Sequence, residues 1–202
     1  MPHTCSEGPY QGRYIRYFLT AATLLFVFFL SFLKIEDYDI WYHIKTGEYI
    51  VRNLSIPTTD IFSYTAFGHR WVTHEWLSEV IFYLFTAAAG VNNLVFFKAA
   101  MITAVFGSYL FFLRNRVGIH VLAPVVAVAA VLARGRFFER PELFSYLLVA
   151  VFICLLEKIR TDERAPGRYF WVFPALMVFW ANCHGGAIFG VVVTGAYAAG
   201  EA

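Results

Sequence analysis

Runs of apolar residues, separated by short polar segments, dominate this chain and limit what it can fold into. The runs lie at residues 17–33, 93–113, 119–133, 143–156, 169–183 and 186–200. A helix needs roughly 17–25 apolar residues to cross a bilayer, and several runs fall near or below that limit, so composition is needed as a second criterion. Charged residues make up 15% of the chain, against about 25% in soluble domains. The sequence therefore predicts an all-α, multi-pass transmembrane protein with about six spans.

One further apolar segment, residues 76–89, decides how the chain crosses the membrane. It contains Glu79, and its Trp76 and Tyr83 suit the headgroup region of a bilayer. These residues favour a helix that lies in the interface rather than one that crosses it. The alternative, a crossing helix, reverses the side on which every later segment lies.

Basic residues support the interfacial arrangement of residues 76–89. That arrangement places the basic loop at residues 157–168 in the cytoplasm together with the N-terminus, in accord with the positive-inside rule. We then expect one membrane domain with three parts: a cytoplasmic tail at 1–16, an extracytoplasmic first loop at 34–92, and a helical bundle at 93–202. If residues 76–89 cross instead, the basic loop is external and the polar segments lie on different sides.

The long first loop is predicted to carry juxtamembrane amphipathic helices. Apolar residues share one face of a helix over residues 38–52, and Asp39 and His43 lie one turn apart beside that face. Thr73 is predicted to cap the next helix. Loops of this length are usually functional when they are ordered, so we expect the first loop to contribute to a site.

Polar side chains gather in the segments between the apolar runs, where charge is costly unless it faces water or an opposite charge. The first loop contributes the candidate site residues Asp37, Asp39, Trp41, His43, Asp60, His74 and Glu75. Later segments contribute Lys98, Arg136, Glu139, Arg140, Asn182 and His184. In the interfacial arrangement all of these residues lie on the extracytoplasmic side. The sequence therefore predicts one shared functional site.

Asp37 and Asp39 are the candidate catalytic residues. Two carboxylates at a membrane boundary can supply a general base, or they can together hold a divalent cation such as Mg²⁺ or Mn²⁺. The structural alternative is a solvated helix start. A zinc-protease interpretation of His74 and Glu75 fails, because that motif requires a histidine where Ser78 stands.

The basic residues are candidate ligands of a phosphate group. Arginine binds phosphate through paired hydrogen bonds and keeps its charge in a low dielectric, which suits Arg136 and Arg140 to this role. The alternative for a single arginine is a side chain that extends from a helix end to water. Lys98 is expected either to extend outward in this way or to meet an anion. The net charge of +2 gives no sign of a nucleic-acid partner.

The layout of the chain and four of its sequence strings each carry a resemblance to known proteins. The strings are DYDIWYHIKTGEYI, IPTTDIFSYTAFGHRWVTHEWLSE, RFFERPELFS and WANCHGG. The acidic pair after the first span, the long outer loop and the arginine and acid cluster before a later span resemble the type-C glycosyltransferases. These are multi-pass enzymes that use polyprenyl-phosphate sugars. The strings themselves are similar to those of uncharacterised bacterial multi-pass membrane proteins.

The resemblance implies transfer of a sugar from a polyprenyl-phosphate donor to an extracytoplasmic acceptor at the bacterial inner membrane. Asp37 or Asp39 would then be the catalytic base or a metal ligand, and Lys98, Arg136 and Arg140 would lie at the lipid phosphate. Family members are longer, so the resemblance also implies that this chain is an N-terminal portion or a reduced relative. The alternative is a non-catalytic multi-pass subunit or scaffold that binds a partner membrane protein.

Overall fold

Helices are the only regular elements in the described part of the chain, which confirms the predicted all-α class there. The computed structural model describes residues 9–161, 169 and 171–200. Residues 1–8 of the predicted tail at 1–16 and residues 162–168 of the basic loop at 157–168 lie outside the described residues. The α-helices are α1 (Pro9–Ser31), α2 (Asp39–Asn53), α3 (Trp76–Ala89), α4 (Asn93–Leu113), α5 (Ile119–Ala133), α6 (Glu142–Thr161), α7 (Val172–Cys183) and α8 (Ile188–Gly200). Short 3₁₀ turns lie at Arg134–Arg136 and Gly185–Ala187.

Three of the described helical segments are long and apolar enough to cross a bilayer. They are Gly12–Ser31, Asn93–Leu113 and Ile119–Arg136, with 20, 21 and 18 residues. At 1.5 Å per residue each covers about 27–32 Å, close to the ~30 Å thickness of the hydrocarbon core. Shorter apolar helices lie at Trp76–Ala89, Val172–Cys183 and Gly185–Gly200. These lengths and compositions support association with a membrane.

Large apolar side chains cover the outside of the long helices. Tyr17, Phe18 and Phe29 of α1 and Leu132 of α5 are all exposed. In water, such a surface costs roughly 25 cal/mol per Å² of apolar area, whereas lipid tails are as apolar as these side chains. The exposed surface therefore fits a lipid environment.

Successive long helices run in opposite directions, so their ends gather at two opposite ends of the bundle. Lys98, near the start of α4, donates from Nζ to the carbonyl of Leu33, just after α1, at 3.0 Å. Ser145, near the start of α6, places Oγ 2.7 Å from Nδ1 of His184, just after α7. We call this end, which also carries Arg140, the polar end.

Basic residues surround one carboxylate at the opposite end of the bundle. Glu157, near the end of α6, accepts a hydrogen bond from the hydroxyl of Tyr197, near the end of α8, at 3.3 Å. Arg116, between α4 and α5, places Nη2 2.6 Å from Glu157 Oε1. We call this the basic end; the described residues that lie there include Arg16, Arg114, Arg116 and Arg160.

α2 and α3 pack on each other beside the polar end. Gly47 of α2 permits this close approach, because a Cβ at that position would collide with the backbone carbonyl of Glu79 in α3. At the start of α3, Trp76 Nε1 donates to Asn182 Oδ1 at 2.7 Å. α3 then ends at Ala89, and residues 90–92 connect it to α4. Both ends of α3 therefore lie at the polar end.

The start of α3 differs from the prediction. The Thr73 hydroxyl donates to the carbonyl of Pro57 at 2.9 Å and so orders the loop instead of capping the helix. Glu75 occupies the cap position and makes no side-chain cap bond. The prediction that Thr73 caps α3 is therefore wrong, because the hydroxyl has a partner 16 residues earlier in the loop. α2 agrees with its predicted range to within one residue at each end.

Candidate functional site

Three polar segments that are far apart in the sequence meet at the polar end. Arg140, just before α6, binds the carboxylate of Asp37, just after α1. Asn182, at the end of α7, accepts a hydrogen bond from the indole at the start of α3. His184 follows it, with Nε2 3.6 Å from Glu75 Oε1. The structure thus brings together candidate residues from all three segments.

The guanidinium group of Arg140 contacts both candidate catalytic carboxylates, those of Asp37 and Asp39. Arg140 donates to both oxygens of Asp37, with 3.0 Å between Nη2 and Oδ1. The same Nη2 lies 3.0 Å from Asp39 Oδ2. The hydrogen bond from Arg140 lowers the pKa of Asp37, and this effect outweighs the opposing effect of burial. Asp37 is therefore a fixed, ionised carboxylate, whereas the Asp39 side chain is 59% exposed and open to a ligand.

Lys98 meets an anion, the second of its two expected environments. Its Nζ lies 2.6 Å from Glu139 Oε1, and both side chains are almost fully buried. Nζ also donates to the carbonyl of Leu33. A buried ammonium and a buried carboxylate each need a partner, so the pair ties α4 to the segment before α6. In this arrangement neither group is open to a phosphate.

Hydrogen bonds fix the orientation of the His184 ring. Trp180 Nε1 donates to Ser145 Oγ at 2.7 Å, and Ser145 Oγ lies 2.7 Å from His184 Nδ1. The backbone N–H of Gly186 also donates to Nδ1, at 3.1 Å. Because a backbone N–H can only donate, we infer that Nδ1 is the acceptor and that the neutral ring carries its proton on Nε2. That nitrogen faces Glu75.

A cavity of about 700 Å³ lies between α4, α5, α6 and α8. Its walls are mainly apolar, with Ile102, Val105, Phe106, Phe137, Val149 and Phe189. Toward the polar end it is lined by a group that we call the polar mouth: Arg136, Glu142, Ser145, Tyr146 and His184. A cavity of this size with an apolar interior and a few polar groups at one end suits an amphiphilic ligand.

Glu142 orders the polar mouth. Its Oε2 accepts hydrogen bonds from the Tyr146 hydroxyl at 2.8 Å and from Arg136 Nη2 at 3.2 Å. The Arg136 side chain remains 69% exposed, so most of its donors are free to bind a ligand. The polar mouth therefore presents an oriented guanidinium and an imidazole to whatever occupies the cavity.

Trp41 and His43 have different surroundings on α2. Trp41 is 51% exposed and lines a separate surface cavity of about 350 Å³ together with Asp37. His43 is buried, and its Nδ1 lies 3.2 Å from Glu79 Oε1. Trp41 is thus accessible beside the carboxylates, while His43 joins α2 to α3.

Asp60 and His74 lie at the margin of the site. The Asp60 carboxylate accepts hydrogen bonds from the hydroxyl and backbone of Ser63 and from the backbone of Phe62. The bond from the Ser63 hydroxyl is the main reason that the pKa of Asp60 is lowered. His74 is exposed, with Nε2 3.5 Å from Glu75 Oε1. Asp60 therefore orders its own loop, and His74 only borders the polar end.

Four contributors lie outside the predicted set of site residues: Glu79, Glu142, Ser145 and Tyr146. Glu142 lies in the charged segment that precedes an apolar run, which is a sequence signal of the same kind as that of its neighbours. Glu79 has a sequence signal, because a carboxylate in an apolar segment needs a partner, and that partner is His43. Ser145 and Tyr146 follow the start of α6 and carry no such signal. Their place at the polar mouth depends on which helices meet there, which local sequence does not specify.

Asp37 and Asp39 are also the predicted metal ligands. Across residues 9–161, 169 and 171–200, no group of three or more His, Cys, Asp or Glu side chains is placed to hold a metal ion. Both carboxylates contact Arg140, whose positive charge opposes a cation at the same oxygens. In this structure the positive charge beside Asp37 and Asp39 is that of Arg140. Binding of a divalent cation by these two carboxylates stays a prediction.

The chain matches no protein-family model, and comparisons with curated proteins and with solved structures give no match. The resemblance to the type-C glycosyltransferases therefore stays a prediction from the sequence. The function that follows is argued from the geometry of the polar end.

Proposed function

We propose that the protein is a membrane glycosyltransferase-like protein that transfers a sugar from a polyprenyl-phosphate donor to an extracytoplasmic acceptor. The cavity is the observation that carries this proposal. Its apolar interior suits a polyprenyl chain, and its polar mouth offers Arg136 and His184 to a phosphate. Asp37 and Asp39 lie at the same end of the bundle, on Arg140. Donor and acceptor chemistry can therefore share the polar end.

The proposed topology has six crossings, made by α1, α4, α5, α6, α7 and α8. Both ends of α3 adjoin the polar end, which supports an interfacial position for α2 and α3. Basic side chains gather at the opposite end, and the positive-inside rule favours that end as cytoplasmic. The N-terminus is then cytoplasmic, and the polar end faces outward from the bacterial inner membrane.

The donor binds with its chain in the cavity and its phosphate at the polar mouth. Arg136 donates to the phosphate oxygens, and Glu142 holds the guanidinium in place at 3.2 Å. His184 borders the same mouth, but Ser145 and Gly186 bond to its Nδ1 and its Nε2 faces Glu75, so Arg136 is the main donor to the phosphate. One preorganised donor of this kind contributes about 3–4 kcal/mol where charge develops in a transition state.

The transfer is a single displacement with inversion at the anomeric carbon. Asp39 takes the proton from an acceptor hydroxyl, and the hydroxyl oxygen forms a bond to the anomeric carbon. The bond from that carbon to the phosphate oxygen breaks, and the polyprenyl phosphate leaves with the electron pair. Arg136 stabilises the charge on the leaving group. Asp37 does not take the proton, because the hydrogen bond from Arg140 lowers its pKa. Its role is to hold Arg140, which also contacts Asp39.

The first test is retention of the donor lipid. The purified protein is expected to carry polyprenyl phosphate, detected by mass spectrometry, and Arg136→Gln is expected to weaken binding by about tenfold, as for the loss of a charged hydrogen bond. Arg134→Gln is the matched control, since Arg134 lies in the same 3₁₀ turn but does not line the cavity. Equal binding by parent and Arg136→Gln rejects the assignment of the phosphate site.

The second test is sugar transfer in membranes. Asp39→Asn is expected to keep donor binding and to lose about 10²–10⁴-fold in rate, the range for a general base. Asp37→Asn is expected to lose stability as well as rate, because it removes the partner of Arg140. If Asp39→Asn transfers sugar at the parental rate, the mechanism is wrong.

A second candidate function is a non-catalytic subunit or scaffold for a partner membrane protein. It is favoured by one observation: the predicted phosphate ligands Lys98, Arg136 and Arg140 each have a carboxylate partner within the chain. Such charges can serve folding alone. This alternative predicts stable co-purification with another membrane protein and no bound polyprenyl phosphate, so the mass-spectrometric test separates the two candidates.

A further inference from the structure

A second cleft lies at the basic end, far from the polar mouth. It has a volume of about 490 Å³ and lies between α1 and α4. Leu24, Leu110 and Phe111 give it an apolar wall, and Arg16 and Arg114 give it two guanidinium groups. The cleft shares no residue with the cavity assigned to the sugar donor. A ligand here would therefore be a different one.

The charge of this cleft is not balanced within the part of the chain that the structure describes. There, neither Arg16 nor Arg114 pairs with a carboxylate, and the described lining contains no Asp or Glu. The Arg114 guanidinium lies over the Phe111 ring, 3.9 Å from its centroid. The neighbouring Arg116, in contrast, pairs with Glu157. The cleft thus presents two positive groups that are free to bind an anion.

Apolar side chains extend the cleft onto the outer surface of the helices. Tyr17, Phe18 and Phe111 are 64%, 71% and 65% exposed, on the surface that fits lipid. An occupant should therefore be anionic where it meets the arginines and apolar where it meets Leu24 and this surface. A free phosphate meets only the first condition, whereas an anionic phospholipid meets both.

We propose that the cleft between α1 and α4 binds an anionic glycerophospholipid from the leaflet at the basic end. Its phosphate accepts hydrogen bonds from Arg16 and Arg114, since guanidinium groups bind phosphate through paired bonds. One acyl chain lies along Leu24 and Leu110. The bound lipid links α1 to α4 at the end of the bundle opposite to the Lys98 and Leu33 contact.

The test compares lipid binding by the purified chain of residues 1–202 and its variants. Native mass spectrometry and thermal unfolding are measured with phosphatidylglycerol, phosphatidylcholine or inorganic phosphate added to delipidated protein. The parent is expected to retain phosphatidylglycerol and to be stabilised by it. The double variant Arg16→Gln/Arg114→Gln is expected to lose about tenfold or more in affinity, the scale for two basic groups at an anionic lipid.

The control removes the same charge elsewhere. Arg70→Gln/Arg134→Gln deletes two exposed arginines outside the cleft and is expected to bind phosphatidylglycerol as the parent does. The charge-conserving Arg16→Lys/Arg114→Lys variant is expected to keep binding in part, which separates loss of the site from loss of the fold. Three results overturn the proposal: equal loss in the control, equal retention of phosphatidylcholine, or equal stabilisation by inorganic phosphate.

Discussion

At the scale of single residues, the polar end consists largely of charges that neutralise one another. Lys98 and Glu139 form a buried pair between α4 and the segment before α6. Arg140 forms ion pairs with Asp37 and Asp39, which follow α1 at the same end of the bundle. In a membrane protein such pairs offset part of the cost of burying charge, and they also fix the loops that carry them. Their contributions can be measured separately.

Removing one member of the Lys98 and Glu139 pair leaves an isolated buried charge. We expect Lys98→Met or Glu139→Gln to reduce the free energy of unfolding by about 3–5 kcal/mol. The double variant is expected to lose less than the sum of the single losses, because no isolated charge remains. Thermal unfolding in detergent measures all three variants. Strict additivity of the two losses contradicts the assignment of a direct interaction.

Asp37 should make stability depend on pH in the acid range. Its pKa in the folded protein lies below the ordinary value of 3.8, chiefly through the Arg140 hydrogen bond. The resulting stabilisation is complete above that ordinary value and is lost as the pH falls through the lower folded-state value. We expect Asp37→Asn to be less stable than the parent at neutral pH and to lose less on acidification. The exposed neighbour Glu36 supplies the control: Glu36→Gln should keep the parental pH profile.

The sequence identifies the charged residues at the polar end better than it identifies their partners. Asp37, Lys98, Arg140 and His184 stand out because charge beside an apolar run needs an explanation. Lys98 pairs with Glu139, and Arg140 pairs with Asp37 and Asp39. These partners lie about 40–100 positions apart in the sequence, so the pairing depends on how the helices pack. Ser145 gives no local signal at all. Pairing is thus a property of the fold that no local pattern encodes.

At the scale of elements, the contact between α2 and α3 depends on the absence of a side chain. Gly47 of α2 lies against the backbone of Glu79 and the Cβ of Tyr83, so any added atom forces the helices apart. The buried His43 and Glu79 pair bridges the same two helices. Together these contacts explain how an apolar segment with a carboxylate becomes an ordered helix.

Substitution of Gly47 should therefore separate α2 from α3. We expect Gly47→Ala to cost about 1–3 kcal/mol of stability, the range for overpacking a close contact. Gly195→Ala in α8 is the matched control, because a Cβ there meets nothing within 4 Å and alanine favours the helix. Limited proteolysis of the loop between α2 and α3, together with thermal unfolding, reports the effect. Equal stability of the two variants contradicts the packing argument.

The composition of residues 76–89 does not determine whether this helix crosses the membrane or lies in its interface. A 14-residue apolar helix covers about 21 Å, too short for an untilted crossing and too apolar for open water. The contacts at its two ends, Trp76 with Asn182 and the short connection to α4, support the proposed interfacial position. The sequence predicts that residues 76–89 form a helix, but the position of this helix relative to the bundle depends on its tertiary contacts.

At the scale of the whole molecule, the two ends of the bundle should face opposite sides of the membrane. In a background without Cys5, Cys154 and Cys183, we expect the Arg70→Cys variant to react with a membrane-impermeant maleimide in intact cells. The Arg114→Cys variant should react only after permeabilisation. Labelling of both positions from one side rules out the proposed topology.

The long α6 makes polar contacts near both of its ends. Ser145 bonds to His184 at one end, and Glu157 pairs with Arg116 at the other, across a helix of 20 residues that is about 30 Å long. Displacement of α6 would break polar contacts at both ends of the bundle at once. The half-exposed Phe189 lines the cavity on the α8 side. We therefore expect the proposed lipid donor to exchange sideways, past Phe189, while α6 stays in place.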